Sequence, residues 1–280
     1  MEPDIHCNPQ WKRLLQKAKL EGCNIGVNEI FSIVNAIAPP LVKGLKAPAK
    51  PIAVIMCGPA GAGKTTIKSQ ILSDYGIGAE QTILAEPDAI LAALEQWKNP
   101  LTKTKCQKTS GQLLYKFLLE RLAATKHHIV YDTICRGIGN TMDAINLFAK
   151  NGYYVILAEV YLPLEEVQRR VRKRYNNAAE ANKRFIEPAE VDRMYTEFAA
   201  KASVYFGKTF KGEPVRINEL RLYNNEGTEP LLLYKRVGDK VEMSPLEGEQ
   251  PFYFNYRGVG RGITKYRKTK YRKTRRRSRH

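Results

Sequence analysis

The sequence predicts an α/β fold: a three-layer core around a parallel sheet, a helical extension before it, and a β-hairpin region and basic tail after it. Three observations carry this prediction. Apolar runs of strand length alternate with runs of helical periodicity between about residues 50 and 206, the pattern of successive βαβ units. A glycine-rich turn, Gly58-Pro59-Ala60-Gly61-Ala62-Gly63, joins the first apolar run to the first helical one. With 280 residues and 43% hydrophobic content, the chain can bury a full core and still carry appendages.

Residues 1–48 read as a helical extension. Trp11, Leu14, Leu15 and Ala18 fall at helical spacing, as do Ile30, Ile33, Val34 and Ile37, and Pro39-Pro40 is expected to end the second run. Ala47 to Pro51 reads as a linker into the core, residues 49–206. The core opens on a strand at 52–57 and a helix at about 63–73. A short strand at 82–85 leads through Glu86-Pro87-Asp88 into a helix reaching about Trp97. The next helix covers 112–125, with Leu113, Leu114, Phe117, Leu118 and Leu122 as its buried stripe. A strand at 128–132, a helix at 141–150 closed by Asn151-Gly152, and a strand at 153–161 follow. The helix at 164–175 has acids in its first turn and bases in its last, which suits the helix dipole, and another helix spans about 188–205.

Residues 207–256 turn strand-like, at 214–217, 220–223, 231–236 and 241–243, with turns at Asn224 to Gly227 and Val237 to Asp239. This hairpin or small meander either completes the sheet or forms a flap. The tail, 257–280, repeats Lys-Tyr-Arg-Lys-Thr at 265–269 and 270–274, and its composition cannot bury enough apolar surface to fold alone.

The net charge of +18 is concentrated. Twelve of the 46 Lys and Arg lie in the tail, which has no acid, and the other 34 face 28 acids. The body is therefore only mildly basic. No apolar run is long enough to span a bilayer, and the N-terminus lacks a signal-peptide layout. Cys7, Cys23, Cys57, Cys106 and Cys135 are scattered without C-x-x-C spacing, which argues against a zinc ribbon or a disulfide framework and for a reducing compartment. The expectation is an intracellular protein, cytoplasmic or, through its tail, nuclear.

The run from Gly58 to Thr65 reads G-x-x-x-x-G-K-[ST] between a strand and a helix, the context of a phosphate-binding loop. Its glycines let successive N–H groups turn inward, and the following helix adds the positive end of its dipole. Gly58, Pro59, Ala60, Gly61, Ala62, Gly63, Lys64, Thr65 and Thr66 are thus the ATP-binding candidates. Lys64 suits the β- and γ-phosphates, and the Thr65 hydroxyl suits Mg²⁺.

In open α/β sheets the ligand lies beyond the carboxyl ends of the strands, where Asp88, Asp132 and Arg136 fall. Asp88 is the candidate base for an acceptor hydroxyl; Asp also caps helices, and the neighbouring phosphate loop favours the catalytic role. Asp132 ends a strand as a Walker-B acid does, making it a candidate Mg²⁺ ligand, with an ordinary turn residue as the alternative. Arg136 and Arg174 are candidates for clamping the transferred phosphoryl, because a guanidinium pairs bidentately and stays charged. Arg169, Arg170 and Arg172 crowd the same helix as Arg174. His127 and His128 lack ligand spacing and read as structural.

Together these residues resemble the zeta-toxin family of P-loop kinases, which also resemble 5′-hydroxyl polynucleotide kinases. The resemblance covers roughly Pro51 to Tyr175 and, more loosely, the hairpin through Val241. It rests on Gly58 to Thr65, on Asp88 after the second strand, on the turn Asp132-Thr133-Ile134-Cys135-Arg136, and on Gly152-Tyr153-Tyr154-Val155 ahead of an arginine-bearing helix. It implies a P-loop NTPase core, ATP and Mg²⁺ as cofactors, and Asp88 as base on the acceptor hydroxyl. It also implies UDP-N-acetylglucosamine or a similar nucleotide sugar as acceptor, and an inhibitor protein as partner. Tyr131-Asp132 stand where the family has Glu-Gly, and Arg136 sits one residue further from Thr133 than the pattern expects. The tail is foreign to the family and resembles, in composition, tails on proteins of large DNA viruses.

The leading expectation is an ATP- and Mg²⁺-dependent kinase acting on a hydroxyl of a small metabolite. A nucleic-acid end kinase is second, favoured by the tail. Third is a nucleic-acid-binding protein with a regulatory nucleotide site, which the combination of Asp88 with an intact loop opposes. For the tail itself, nucleic acid or an import receptor is the expected partner.

Overall fold

The computed structural model of the chain describes residues 16, 27–86, 110–177, 186–207 and 209–243. The predicted helix around Trp11, Asp88 with the helix after it, and the tail 257–280 lie outside the described residues.

The helices are α1 (Val27–Val42), α2 (Lys64–Asp74), α3 (Ser110–Ala124), α4 (Ile138–Lys150), α5 (Leu164–Asn177) and α6 (Pro188–Ala202). The strands are β1 (Ile52–Cys57), β2 (Thr82–Ala85), β3 (His128–Thr133), β4 (Tyr154–Tyr161), β5 (Thr209–Phe210), β6 (Glu213–Pro214), β7 (Glu219–Asn224), β8 (Leu231–Val237) and β9 (Lys240–Met243). One sheet runs β2-β3-β1-β4-β7-β8-β9. Its first five members are parallel, and β8 and β9 return antiparallel. Leu157 stands opposite Leu220 and Tyr161 opposite Asn224, so the hairpin region completes the sheet.

Successive strand residues face opposite layers. Ile55, Tyr131, Leu157 and Leu222 pack with α1, α3, α4 and the Phe198 side of α6. Val54, Met56, Ile156 and Ala158 pack with Ile67, Ile71 and Leu72 of α2. Both faces of the sheet are covered, as a parallel sheet requires. The far end of α2 is tied down as well: Asp74 accepts a 2.5 Å bond from the buried Arg221 of β7, which also pairs with Glu219.

Three expectations are corrected. Pro39 and Pro40 lie inside α1 rather than ending it. They sit in its last turn, where proline's fixed φ still fits a helix, and the two N–H bonds lost to the carbonyls of Asn35 and Ala36 come just before the helix stops at Val42. The strand expected at 214–217 shrinks to Glu213–Pro214, paired with Thr209–Phe210; Pro214 has no N–H with which to extend a ladder.

The third concerns the cysteines. Cys57 and Cys135 form a disulfide, with Cα atoms 5.2 Å apart, which runs against the expectation that disulfides are unlikely and weakens the ground it offered for a reducing compartment. The 78-residue separation hides the pair in the sequence. The parallel register sets Cys57 opposite Thr133, and the chain turns back through Cys135 at φ 55. Among the described residues no helix is long and apolar enough to cross a membrane.

Candidate active site

The chain leaves β1 at the buried Cys57 and turns through Gly58 to Gly63 before α2 begins at Lys64. Gly63 sits at φ 83, in the left-handed region, and a Cβ there would meet Asn225 Nδ2 at 2.0 Å. Gly61 lets α5 approach: a Cβ on it would lie 3.3 Å from Val171 Cγ2 and 3.4 Å from the Val167 carbonyl. Lys64 folds over the loop. Its Nζ donates to the carbonyls of Gly58 (2.9 Å) and Pro59 (3.3 Å) and lies 3.5 Å from Asp132 Oδ1. Thr65 and Thr66 are exposed in the first turn of α2, at the positive end of its dipole.

Asp132 ends β3 in register with Met56, on the face that α2 covers. Burial pushes its carboxyl pKa up; Lys64 pulls it down, Glu86 pushes it up, and Lys68 pulls it down again. Lys68, one helical turn beyond Lys64, pairs with Glu86 at 3.2 Å. Glu86 brings a second carboxylate to the strand ends, and the sequence reading passed over it although it stands two residues before Asp88.

The arginines divide. Arg170 of α5 donates from Nε to Glu166 (2.7 Å) and from Nη2 to the Asn225 carbonyl (2.8 Å). Its Nη1 would be 3.4 Å from a Cβ on Gly63. Arg174, favoured from the sequence, lies one turn further on and is exposed. Arg136 is engaged on α6, with Glu190 at 3.1 Å and with Glu197. The structure thus gathers Lys64, Asp132 and Arg170 at the loop and leaves Arg136 neutralised by two carboxylates. Above them, Val167 and Val171 of α5, Val191 and Met194 of α6, Ala60 of the loop and Ile134 form one apolar cluster. Helix α5 is therefore packed directly onto the glycine-rich turn, and α6 joins it in the same cluster.

Two further residues escaped the sequence reading. Asn225, only 7% exposed, donates from Nδ2 to the Ala62 carbonyl at 2.7 Å. The sequence offered only an Asn-Asn turn there. Glu159 of β4 is fully buried, and among the described residues neither carboxyl oxygen has a hydrogen-bond partner. Burial alone raises its pKa well above the ordinary carboxylate range. It shares a sheet row with Cys57 and Thr133. The histidines are structural: His128 Nδ1 accepts from the Ile52 N–H at 3.1 Å, and His127 contacts Thr125 and the Leu45 carbonyl.

Thr65 and Asp132 offer hard oxygen donors beside an anion-binding helix end, a donor set that suits Mg²⁺ held partly by substrate phosphates. No cluster of three or more His, Cys, Asp or Glu suited to a metal occurs among the described residues, so a metal held wholly by such protein ligands is not indicated there.

The zeta toxin family model matches residues 41–228, more than half of the chain. No curated protein matches it. Among solved structures, one from the PezAT chromosomal toxin–antitoxin system of Streptococcus pneumoniae is 17% identical with a TM-score of 0.56, covering 72% of this chain and 78% of its own. The AvrRxo1-ORF1:AvrRxo1-ORF2 structure with sulphate ions is 16% identical with a TM-score of 0.56, covering 85% and 75%. The same pair with ATP is 17% identical with a TM-score of 0.52, covering 84% and 70%. These likenesses share the fold, and the family match supplies the assignment: the chain belongs to the zeta toxin family of P-loop kinases.

Proposed function

We propose that the chain transfers the γ-phosphoryl of ATP to a hydroxyl of a small metabolite, with a nucleotide sugar such as UDP-N-acetylglucosamine the leading acceptor. The observation that carries the reading is the convergence of Lys64, Asp132 and Arg170 on the Gly58–Gly63 turn. The similar structure solved with ATP supports the choice of nucleotide.

In this reading Lys64 exchanges its bonds to the loop carbonyls for the β- and γ-phosphates, and Arg170 stabilises charge spreading over the transferred group. Thr65 and Asp132 would hold Mg²⁺, which would supply charge neutralisation for the phosphate oxygens. Asp88, outside the described residues, takes the proton of the acceptor hydroxyl. Arg136, bound to Glu190 and Glu197, anchors the loop after β3, and Arg174 is a secondary cation on the covering helix. An inhibitory protein partner is part of the proposal, supported by the toxin–antitoxin origin of one structural neighbour.

The test is transfer of label from γ-labelled ATP by the full chain, with Lys64→Ala as control, to nucleotide sugars, nucleosides and 5′-hydroxyl oligonucleotides. Label on a nucleotide sugar is expected, and label confined to other small metabolites would replace the acceptor. A second reading, an end kinase for nucleic acid, is favoured by the twelve tail cations, and label moving to oligonucleotide ends would establish it instead.

A further inference from the structure

We infer that Asn225 is a positioning residue for phosphoryl transfer, orienting one N–H of the phosphate loop and seating the arginine that covers it. The inference rests on the nucleotide-site reading above.

The Ala62 carbonyl and the Gly63 N–H belong to one planar trans peptide, so they point in opposite directions. The 2.7 Å bond from Asn225 Nδ2 holds that carbonyl toward β7 and so turns the Gly63 N–H the other way. Nothing else on that flank fits as closely, since Nδ2 occupies the space that any side chain at position 63 would need. A glycine in the left-handed region has a soft backbone. An external donor on its peptide removes the freedom that would otherwise have to be lost when phosphate binds.

Asn225 is itself held by the sheet. Its N–H donates to the Tyr161 carbonyl at 3.1 Å, continuing the β4–β7 pairing by one residue. Its carbonyl accepts from Arg170 Nη2 at 2.8 Å, while Glu166 holds Nε of the same guanidinium at 2.7 Å. The guanidinium is thus fixed at two points, with Nη1 on the Gly63 side. A single residue at the end of β7 therefore sets both the loop and its cover. The chemistry calls for an amide: Asp would set carboxylate oxygen against carbonyl oxygen and add negative charge beside the phosphates, and Ala would leave a buried carbonyl without its donor.

The experiment compares full-length wild type, Asn225→Asp and Asn225→Ala by calorimetric ATP titration, by kinetics with ATP and acceptor varied in turn, and by thermal melting. The expected result is ATP affinity weaker by about tenfold or more in Asp and about fivefold in Ala, with a matching rise in ATP KM. The acceptor KM is expected to stay at the wild-type value, and the melting temperature to fall by only about 2–10 °C, the effect of one unmade buried hydrogen bond. ATP affinity equal to wild type in the variants overturns the inference, as does a parallel loss of ATP affinity, acceptor affinity and melting temperature. If Asn225→Asp fails to fold, Asn225→Ala decides on the same readouts. Wild type that binds no ATP overturns the nucleotide-site reading itself, a result visible before any variant is measured.

Discussion

Lys64 Nζ and Asp132 Oδ1 stand 3.5 Å apart where the glycine-rich turn meets the end of β3. Neither is far exposed, and the carboxyl is driven above its ordinary value of 3.8 by burial while Lys64 opposes the rise. The lysine proposed for phosphate and the acid proposed for metal are therefore coupled to each other within the fold.

That coupling sets the acid side of the pH profile. In the proposed role Asp132 has to be ionised to hold Mg²⁺, and its raised pKa means the ionised form is lost on acidification at a pH above 3.8. Profiles of kcat/KM are expected to show an acid limb above that value. Asp132→Asn is expected to remove this limb and to lower kcat by about 10²-fold or more.

Arg170 and Arg174 are expected to separate sharply. Arg170 is fixed against Gly63 and Asn225, whereas Arg174 is exposed one turn away. Steady-state kinetics are expected to show a kcat loss of about 10²-fold or more for Arg170→Ala, in the manner of a phosphate-clamping arginine, and near wild-type turnover for Arg174→Ala.

Glu159 makes stability depend on pH with a predictable sign. Its folded-state pKa lies well above the ordinary 4.5, so between 4.5 and that value the folded chain holds a proton that the unfolded chain releases. Stability from this group therefore falls as pH rises. Glu159→Gln is expected to match wild type in acid and to become progressively more stable than wild type as pH increases, measured by denaturant unfolding across the range.

Cys135→Ser opens the cross-link between the ends of β1 and β3. For a closed loop of 78 residues the chain-entropy argument gives a loss of about 4.5 kcal/mol. Chemical denaturation of the variant is expected to show that loss, and wild type treated with a dithiol reductant is expected to approach it.

The strand–helix alternation and the loop motif were legible because each is local: period, glycine spacing and the following Lys-Thr lie within a dozen residues. Strand β2 matches its predicted bounds to the residue, and Lys64 meets Asp132 because β1 and β3 pair in parallel. What the sequence hid was long-range. Asn225 looks like a turn residue until β7 pairs with β4 and carries it under Ala62, and Cys135 meets Cys57 only through the β1–β3 register. Arg136 reads as a phosphate ligand until α6 folds back with Glu190 and Glu197, two acids more than fifty residues away. Pro39-Pro40 misled for the opposite reason, since a strong local stop signal is tolerated in a final turn that packs Ala38 on the core.

The Cys57–Cys135 bond also fixes how the molecule would respond to tension. Pulled from its two ends, the chain could pay out everything outside the bond, but the 78-residue span within it would stay shut and withhold roughly 270 Å of length. That span holds the whole glycine-rich turn, α2, β2, α3 and β3. Most of the proposed phosphate site therefore sits inside a covalent ring, shielded from stretching, while the arginine-bearing cover on α5 and the Asn225 strand end lie outside it and would peel away first.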